Sequence, residues 1–313
     1  MADTVYIEKF RDPLVTAKGE ERAWVSYSKT KTLWFNTGTL CNIACANCYI
    51  ESSPRNDRLV YLSLADVEPF LDELDAAGEN PIEIGFTGGE PFMAPDMLDI
   101  LRAVLSRGHS VLMLTNAMQP MMRPRVKGGL IALREEFGAR LTMRVSLDHF
   151  SDKRHDLERG AGAFAHAIKG LRWLSENHFH LALAGRTIWG ERDEVARQGY
   201  ADLIAAEGLA IDPSDSKQLV LFPEMRPGDD PPEITTKCWG LLGIDPSELM
   251  CASQRMVVKR KGAAKASVLA CTLLPYDERF ELGQTLAEAR QSVPLNHVYC
   301  AQFCVLGGGS CSA

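Results

Sequence analysis

The chain has 313 residues, 46% of them apolar and 24% charged, and 34 Lys+Arg against 41 Asp+Glu leave a formal net charge of −7. That apolar content can bury the core of one large catalytic domain, or of a medium domain with a small companion. A net-negative chain argues against wrapping nucleic acid or lying on an acidic membrane. No apolar run approaches the roughly 18 residues of a bilayer-spanning helix, and Met1 to Arg11 alternates charged and apolar residues instead of forming a secretion signal. The expectation is a soluble, cytoplasmic protein with neither nucleic acid nor membrane as its partner.

Residues 1–31 read as an N-terminal extension. From 32 to 222 one theme repeats: a β-branched or aromatic run, a turn marked by Gly, Asn or Thr, then a helical pattern. Strands are predicted at Thr32 to Asn36, Ile82 to Thr87, Val111 to Thr115, Leu141 to Ser146, Leu181 to Ile188 and Gln218 to Phe222. The clearest helix follows Ser63, a suitable N-cap with Asp66 three residues on. Leu64, Val67, Phe70, Leu71 and Leu74 form its apolar face, and Gly78 closes it. Pro69 predicts a kink or a later start, because proline lacks an N–H and crowds the preceding turn. Further helices are predicted near Ala94 to Ser106, Arg123 to Phe137, Phe164 to Asn177 and Asp193 to Glu207. Strands alternating with amphipathic helices predict an α/β fold with a parallel sheet, and six units fit either a partial barrel or an open doubly wound sheet.

Residues 223–237, with Pro223, Pro227, Gly228, Pro231 and Pro232, read as a linker. Residues 238–313 are expected to form a small cysteine-rich α+β domain. In it Arg255 to Val258 and Ala266 to Leu269 flank the turn Lys259-Arg260-Lys261-Gly262 as a hairpin, and a helical stretch lies near Thr285 to Gln291. The basic turn reads as a solvated hairpin tip. A region this small buries little apolar surface, so a bound metal is a natural way to hold it together.

The nine cysteines are unevenly placed: Cys41, Cys45 and Cys48, then Cys238, Cys251, Cys271, Cys300, Cys304 and Cys311. They are too sparse for a disulfide scaffold, and an odd number in an unexported chain favours metal ligation or redox work. Three thiolates in Cys41-Asn-Ile-Ala-Cys45-Ala-Asn-Cys48-Tyr49 can hold three corners of an iron–sulfur cube and leave one iron open. A zinc site completed by a distant ligand, or three unrelated thiols, are the alternatives.

The Cys-x-x-x-Cys-x-x-Cys spacing after the first strand resembles the signature of the radical S-adenosylmethionine (SAM) enzymes. Phe86-Thr87-Gly88-Gly89-Glu90-Pro91, which alone reads as a turn, resembles that family's Gly-Gly-Glu-Pro motif. Its glycines would let backbone approach the methionyl part of SAM, and its carboxylate could pair with the ammonium. Thr115-Asn116, Ser146-Leu147-Asp148 and Arg159-Gly160 resemble later SAM contacts, and Gly185 to Ile188 resembles the adenine-side segment more loosely. The resemblance implies that Gly88, Gly89, Glu90, Asn116, Ser146 and Arg159 bind SAM. The residue before the third cysteine is often aromatic in the family but is Asn47 here, so Tyr49 becomes the expected adenine neighbour. The resemblance further implies a partial (β/α)6 barrel over 32–222. It implies reductive cleavage of SAM to a 5′-deoxyadenosyl radical that takes hydrogen from substrate, and an external one-electron reductant such as flavodoxin or ferredoxin.

The C-terminal cysteines resemble the Twitch extension, a trimmed SPASM domain that carries an auxiliary [4Fe–4S] cluster. The expected ligands are Cys251, Cys271, Cys300 and Cys304, with Cys311 nearly as good and Cys238 left over. A zinc site, and His297 as a ligand, remain open. The leading expectation is an oxidoreductase that passes an electron to this cluster. A carbon–sulfur or carbon–carbon bond-forming maturase, a molybdenum-cofactor-type cyclase and a non-catalytic iron–sulfur or zinc redox protein are the alternatives. The substrate is expected to be a small molecule or a peptide segment, with a slight tilt to the former because few residues precede the first strand. No catalytic acid or base is assigned: Asp148, His149 and His155 lie near strand ends, with a solvated surface role equally open.

Overall fold

The computed structural model describes residues 8–226 and 228–312. The first seven residues of the expected extension, Pro227 of the linker, and Ala313 lie outside them. The elements in chain order are β1 (Trp24–Val25), β2 (Thr32–Asn36), α1 (Leu64–Ala76), β3 (Glu83–Thr87), α2 (Met97–Ser106), β4 (Ser110–Thr115), α3 (Pro124–Phe137) and β5 (Leu141–Ser146). They continue with α4 (Asp152–Arg159), α5 (Ala163–Glu176), β6 (His180–Arg186), α6 (Asp193–Glu207) and β7 (Leu219–Phe222). The C-terminal part adds α7 (Cys238–Leu242), α8 (Met250–Ser253), β8 (Gln254–Val258), β9 (Ser267–Leu269), β10 (Glu281–Gly283) and β11 (Val293–Pro294), which pairs with β1.

Strands β2 to β7 are parallel neighbours in sequence order, and helices connect them, as right-handed crossovers require. This is the partial (β/α)6 barrel. Alternation along each strand sorts the side chains into two cores. Leu33, Phe35, Ile84, Phe86, Val111, Met113, Met143 and Val145 face the helices in one cluster, while Trp34 and Leu112 point inward to another. Both faces are buried, which is why the strands read as nearly continuous apolar runs.

Helix α1 starts at Leu64 and runs through Pro69, so the expected later start does not occur. The Asp66 carboxylate accepts from the Ser63 N–H (3.0 Å) and hydroxyl (2.7 Å), fixing the first turn. Buried Val67, Phe70, Leu71 and Leu74 then contribute roughly 1.5–3 kcal/mol each, enough to outweigh a proline penalty of about 3 kcal/mol.

The C-terminal hairpin forms as expected, with Met256 opposite Leu269 and Val258 opposite Ser267. Its first strand also pairs in parallel with β2, Thr32 opposite Gln254, so one nine-stranded sheet of order β10-β9-β8-β2-β3-β4-β5-β6-β7 spans both parts of the chain. The helix expected near Thr285 to Gln291 is a series of turns instead. Glu288 there draws its carboxylate to the N–H groups of Gln284 and Thr285, and Glu73 of α1 takes those of Leu286 and Ala287. The two carboxylates take the N–H groups that would open such a helix, and the backbone beyond them closes into turns, with the Gln291 N–H donating to the Ala289 carbonyl.

Candidate functional site

A cavity of about 380 Å³ opens at the carboxyl ends of the parallel strands, where a barrel's loops converge. Thr87, Leu114, Ser146, Ala184 and Phe222 line it, the last inward residues of β3 to β7. A second opening of about 690 Å³ lies at the opposite end of the strands, beside Lys29, Glu83, Ser110 and Arg140, and contains no cysteine.

Cys41, Cys45 and Cys48 all line the first cavity. A polar clamp holds their loop. The Ala46 N–H donates to the Glu158 carbonyl (2.8 Å), and the Asn47 amide donates to both Glu158 carboxylate oxygens (2.8 and 3.0 Å). Arg186 Nη1 reaches the Asn47 carbonyl and Glu158 (3.3 Å each), while its Nη2 holds the Glu224 carboxylate (3.2 and 3.1 Å). Sequence reasoning missed Glu158, Arg186 as a clamp, and Glu224; the loose adenine-side segment containing Arg186 was the one available signal.

Burial pushes the Cys41 thiol up to about 12 and the Cys45 thiol up to about 11, the latter moderated by the Arg159 guanidinium. As bare thiols these groups hold their protons. Positive iron is the kind of partner that makes buried thiolates favourable, so the donor set fits a cluster. Among the described residues no three His, Cys, Asp or Glu side chains converge as a single metal ion requires. Three thiolates that each take their own iron are the donors an open-cornered cube needs.

Gly88 and Gly89 line the cavity beside this loop. A Cβ on Gly88 would lie 2.6 Å from the Gly38 carbonyl oxygen, and one on Gly89 only 2.1 Å from that of Leu40. The glycines therefore serve first to let the cysteine loop close onto β3, a reason beyond access for SAM. Glu90, expected to meet an ammonium, is buried and accepts from Thr115 Oγ1 (2.9 Å), the Asn116 N–H (2.9 Å) and the Phe92 N–H (3.3 Å). It ties the end of β3 to the end of β4, and it is absent from the cavity lining. Burial pushes its carboxyl up to about 7 against those hydrogen bonds.

Ser146, Asn116 and Arg159 all reach the cavity wall. The Asn116 amide donates to Asn42 Oδ1 (2.9 Å), securing the cysteine loop from the other side. Arg159 Nε and Nη2 grip the Asp148 carboxylate (2.6 and 2.9 Å), leaving Nη1 for a ligand. Asp148, His149 and His155 are all buried, so the surface role left open for them is excluded. Asp148 orients Arg159. His149 faces Glu191 (3.0 Å), and His155 packs edge-on against Phe164. Burial pushes both histidines down to about 4, so they stay neutral. Tyr49 lines the cavity on its C-terminal side, where burial raises its hydroxyl beside Cys311, Cys48 and Cys271.

The C-terminal thiols form a second group. Burial raises Cys304 well above its ordinary value, and Cys271, Cys300, Cys251 and Cys311, in that order, raise it further. Burial likewise pushes Cys251 and Cys300 up to about 12, with Cys271 and Cys251 as their respective neighbours. Cys311 sits on the cavity side, its thiol 3.2 Å from Thr272 Oγ1 and its carbonyl accepting from Arg144 (2.6 Å). Cys238 contacts Thr235 instead. His297 Nδ1 accepts from the Tyr299 N–H (3.1 Å).

A partial parallel barrel with a three-cysteine loop at its open rim defines a class, and the sequence comparisons supply the family. The chain belongs to the Radical SAM superfamily, whose model matches residues 35–190. That superfamily uses a [4Fe–4S] cluster and SAM. The chain is 31% identical over 146 residues to the antilisterial bacteriocin subtilosin biosynthesis protein AlbA of Bacillus subtilis (strain 168), covering 46% of this chain and 30% of that protein. It is 30% identical over 139 residues to the mycofactocin maturase MftC of Mycobacterium ulcerans (strain Agy99), covering 44% of this chain and 35% of that one. The matches thus span about a third of those relatives. Among solved structures, native anSMEcpe with bound AdoMet superposes with a TM-score of 0.59 at 14% identity over 85% of this chain and 81% of that one. Streptococcus suis SuiB bound to S-adenosylmethionine gives 0.57 at 13% identity over 82% and 63%. These two show the shared fold.

Proposed function

We propose that the chain is a radical SAM oxidoreductase in which Cys41, Cys45 and Cys48 hold the SAM-binding cluster and Cys251, Cys271, Cys300 and Cys304 hold one auxiliary [4Fe–4S] cluster. One observation carries the oxidoreductase reading: the cavity and the second thiol group share a wall. Leu273 and Phe303 line the cavity, and Cys271 and Cys304 follow or precede them within two residues. When bound, the first cluster and SAM supply reductive cleavage of the sulfonium and the radical that takes a hydrogen atom from substrate.

The chain's own residues do the rest. Asp148 keeps the Arg159 fork in place, so that Nη1 meets the SAM carboxylate. Gly88, Gly89, Asn116 and Ser146 shape the methionyl and ribose side, and Tyr49 closes the C-terminal side. The Asn47–Glu158–Arg186 clamp keeps the cysteine loop from drifting, and the apolar wall excludes water that would quench an open-shell substrate. The auxiliary cluster, held by those four C-terminal thiols, would be the acceptor for the electron that the substrate gives up with a proton after hydrogen abstraction, leaving a product two hydrogens lighter. A flavodoxin- or ferredoxin-type donor supplies the first electron. The biosynthetic and maturase names of the relatives favour a residue within a peptide as substrate.

Oxygen-free reconstitution tests this reading. About eight irons per chain, release of 5′-deoxyadenosine and a product with a new double bond are expected; about four irons, or a product two hydrogens lighter whose fragmentation shows a carbon–sulfur or carbon–carbon cross-link, would overturn it. A non-catalytic redox protein would release no 5′-deoxyadenosine.

A further inference from the structure

We propose that the group the cavity receives from substrate is an uncharged, aliphatic or aromatic side chain, and that ion pairs already closed on the cavity wall set this preference; this rests on the radical SAM reading of the same site. The charged residues of the wall are Glu51, Asp148, Arg159 and Arg186. Both cations are taken. Arg159 is bound through two of its nitrogens to Asp148 within the protein (2.6 and 2.9 Å), with side-chain exposures of 12% and 4%. Arg186 is shared between Glu158 and Glu224, all three largely buried. Its guanidinium thus faces two carboxylates and has no charge left for a ligand.

A carboxylate or phosphate entering here would lose its hydration and find no unpaired cation. Arg159 Nη1 is the remaining donor, and the proposed function assigns it to SAM. An anion would therefore gain no ion pair in exchange for its lost hydration. A cationic substrate fares little better inside, because the carboxylates of Asp148, Glu158 and Glu224 are already paired. Glu51, 68% exposed, pairs with Arg58 at the outer edge.

The rest of the lining offers apolar surface. Phe222, Met225, Leu273, Tyr299 and Phe303 come together there from β7, the linker and the C-terminal part. Burying a Leu- or Phe-sized group against them would favour binding, whereas a charged head would be stripped of water for nothing. A residue inside a peptide also has its own amino and carboxyl groups neutralised as amides, which suits a wall without free charges.

The test is calorimetric titration of the reconstituted, SAM-loaded protein with N-acetyl-phenylalaninamide, N-acetyl-leucinamide, N-acetyl-aspartamide, N-acetyl-lysinamide and ATP. The two apolar probes are expected to bind at least tenfold tighter than the charged ones. Met225→Lys, which adds an unpaired cation to the wall, is expected to shift affinity at least tenfold towards the aspartate probe. Tighter binding of an acidic, basic or nucleotide probe by the native chain overturns the inference, as does binding of no probe. A companion assay of 5′-deoxyadenosine release keeps the two readings apart: its absence speaks against the radical reading, while release with a charged-probe preference speaks against this one alone.

Discussion

The two cysteine groups sit on either side of one cavity and are built in opposite ways. The first is a loop held by polar residues: Glu158, Asn47 and Arg186 grip its backbone, and Arg159 stands beside Cys45. The second is packed against apolar clusters, where Cys251, Cys271 and Cys304 lie with Leu273, Phe303 and Leu295.

 The contrast is what the proposed function would need: a polar rim that opens on a cavity suits a cluster that must take a ligand, and an apolar shell suits one that only passes electrons.

Five variants and one titration would break or sharpen that contrast, taken from the largest expected effect to the smallest. Cys45→Ala should abolish 5′-deoxyadenosine release and remove about half of the iron, read by product chromatography and metal analysis. Cys271→Ala should also halve the iron yet leave SAM cleavage in place, with dehydrogenated product lost; equal loss of SAM cleavage would contradict the division of labour. Asp148→Asn breaks a buried bidentate pair, so stability should fall by about 3 kcal/mol in urea unfolding and SAM affinity by roughly tenfold or more in equilibrium dialysis.

The pH titration sets two opposing contributions against each other in metal-free protein. Glu90 has its carboxyl raised from 4.5 to about 7, so between those values the folded chain keeps a proton that the unfolded chain has released, and stability falls as pH rises. His149, His155 and His297 are lowered from 6.5 to about 4, so there the unfolded chain binds the extra protons and stability rises with pH. Three histidines outweigh one carboxyl, and the unfolding midpoint should climb from pH 4.5 to 6.5. Glu90→Gln should steepen that climb; a flatter curve would show that Glu90 is ionised in the folded state. The smallest effect is expected for Cys238→Ala, whose thiol contacts Thr235 and no other cysteine: iron content should stay unchanged.

Much of the fold was legible because it is written locally. Period-two runs such as Leu141 to Ser146 and the capped apolar face of α1 need no distant partner to be recognised. Pro69 misled because propensity is a local rule and the buried face of α1 is a tertiary fact. Thr285 to Gln291 misled for the same reason, since Glu73, far away in sequence, takes two of its N–H groups.

In the site, the spacing of Cys41, Cys45 and Cys48 and the Gly88-Gly89-Glu90 run marked the chemistry from sequence alone, because side chains within a few residues share one loop. What sequence could not assign were pairings across the barrel. Asp148 to Arg159 is a short reach, but Asn47 to Glu158, Arg186 to Glu224 and β2 to β8 join segments separated by many residues. Such contacts depend on which ends of which strands meet at the rim, where Glu90 ties β3 to β4 and Asp148 holds Arg159. The amino-acid sequence determined the repeating units and the grouping of the cysteines through local pattern; the tertiary structure decided charge pairing, because only close approach in a desolvated interior makes one carboxylate a partner and another a spectator.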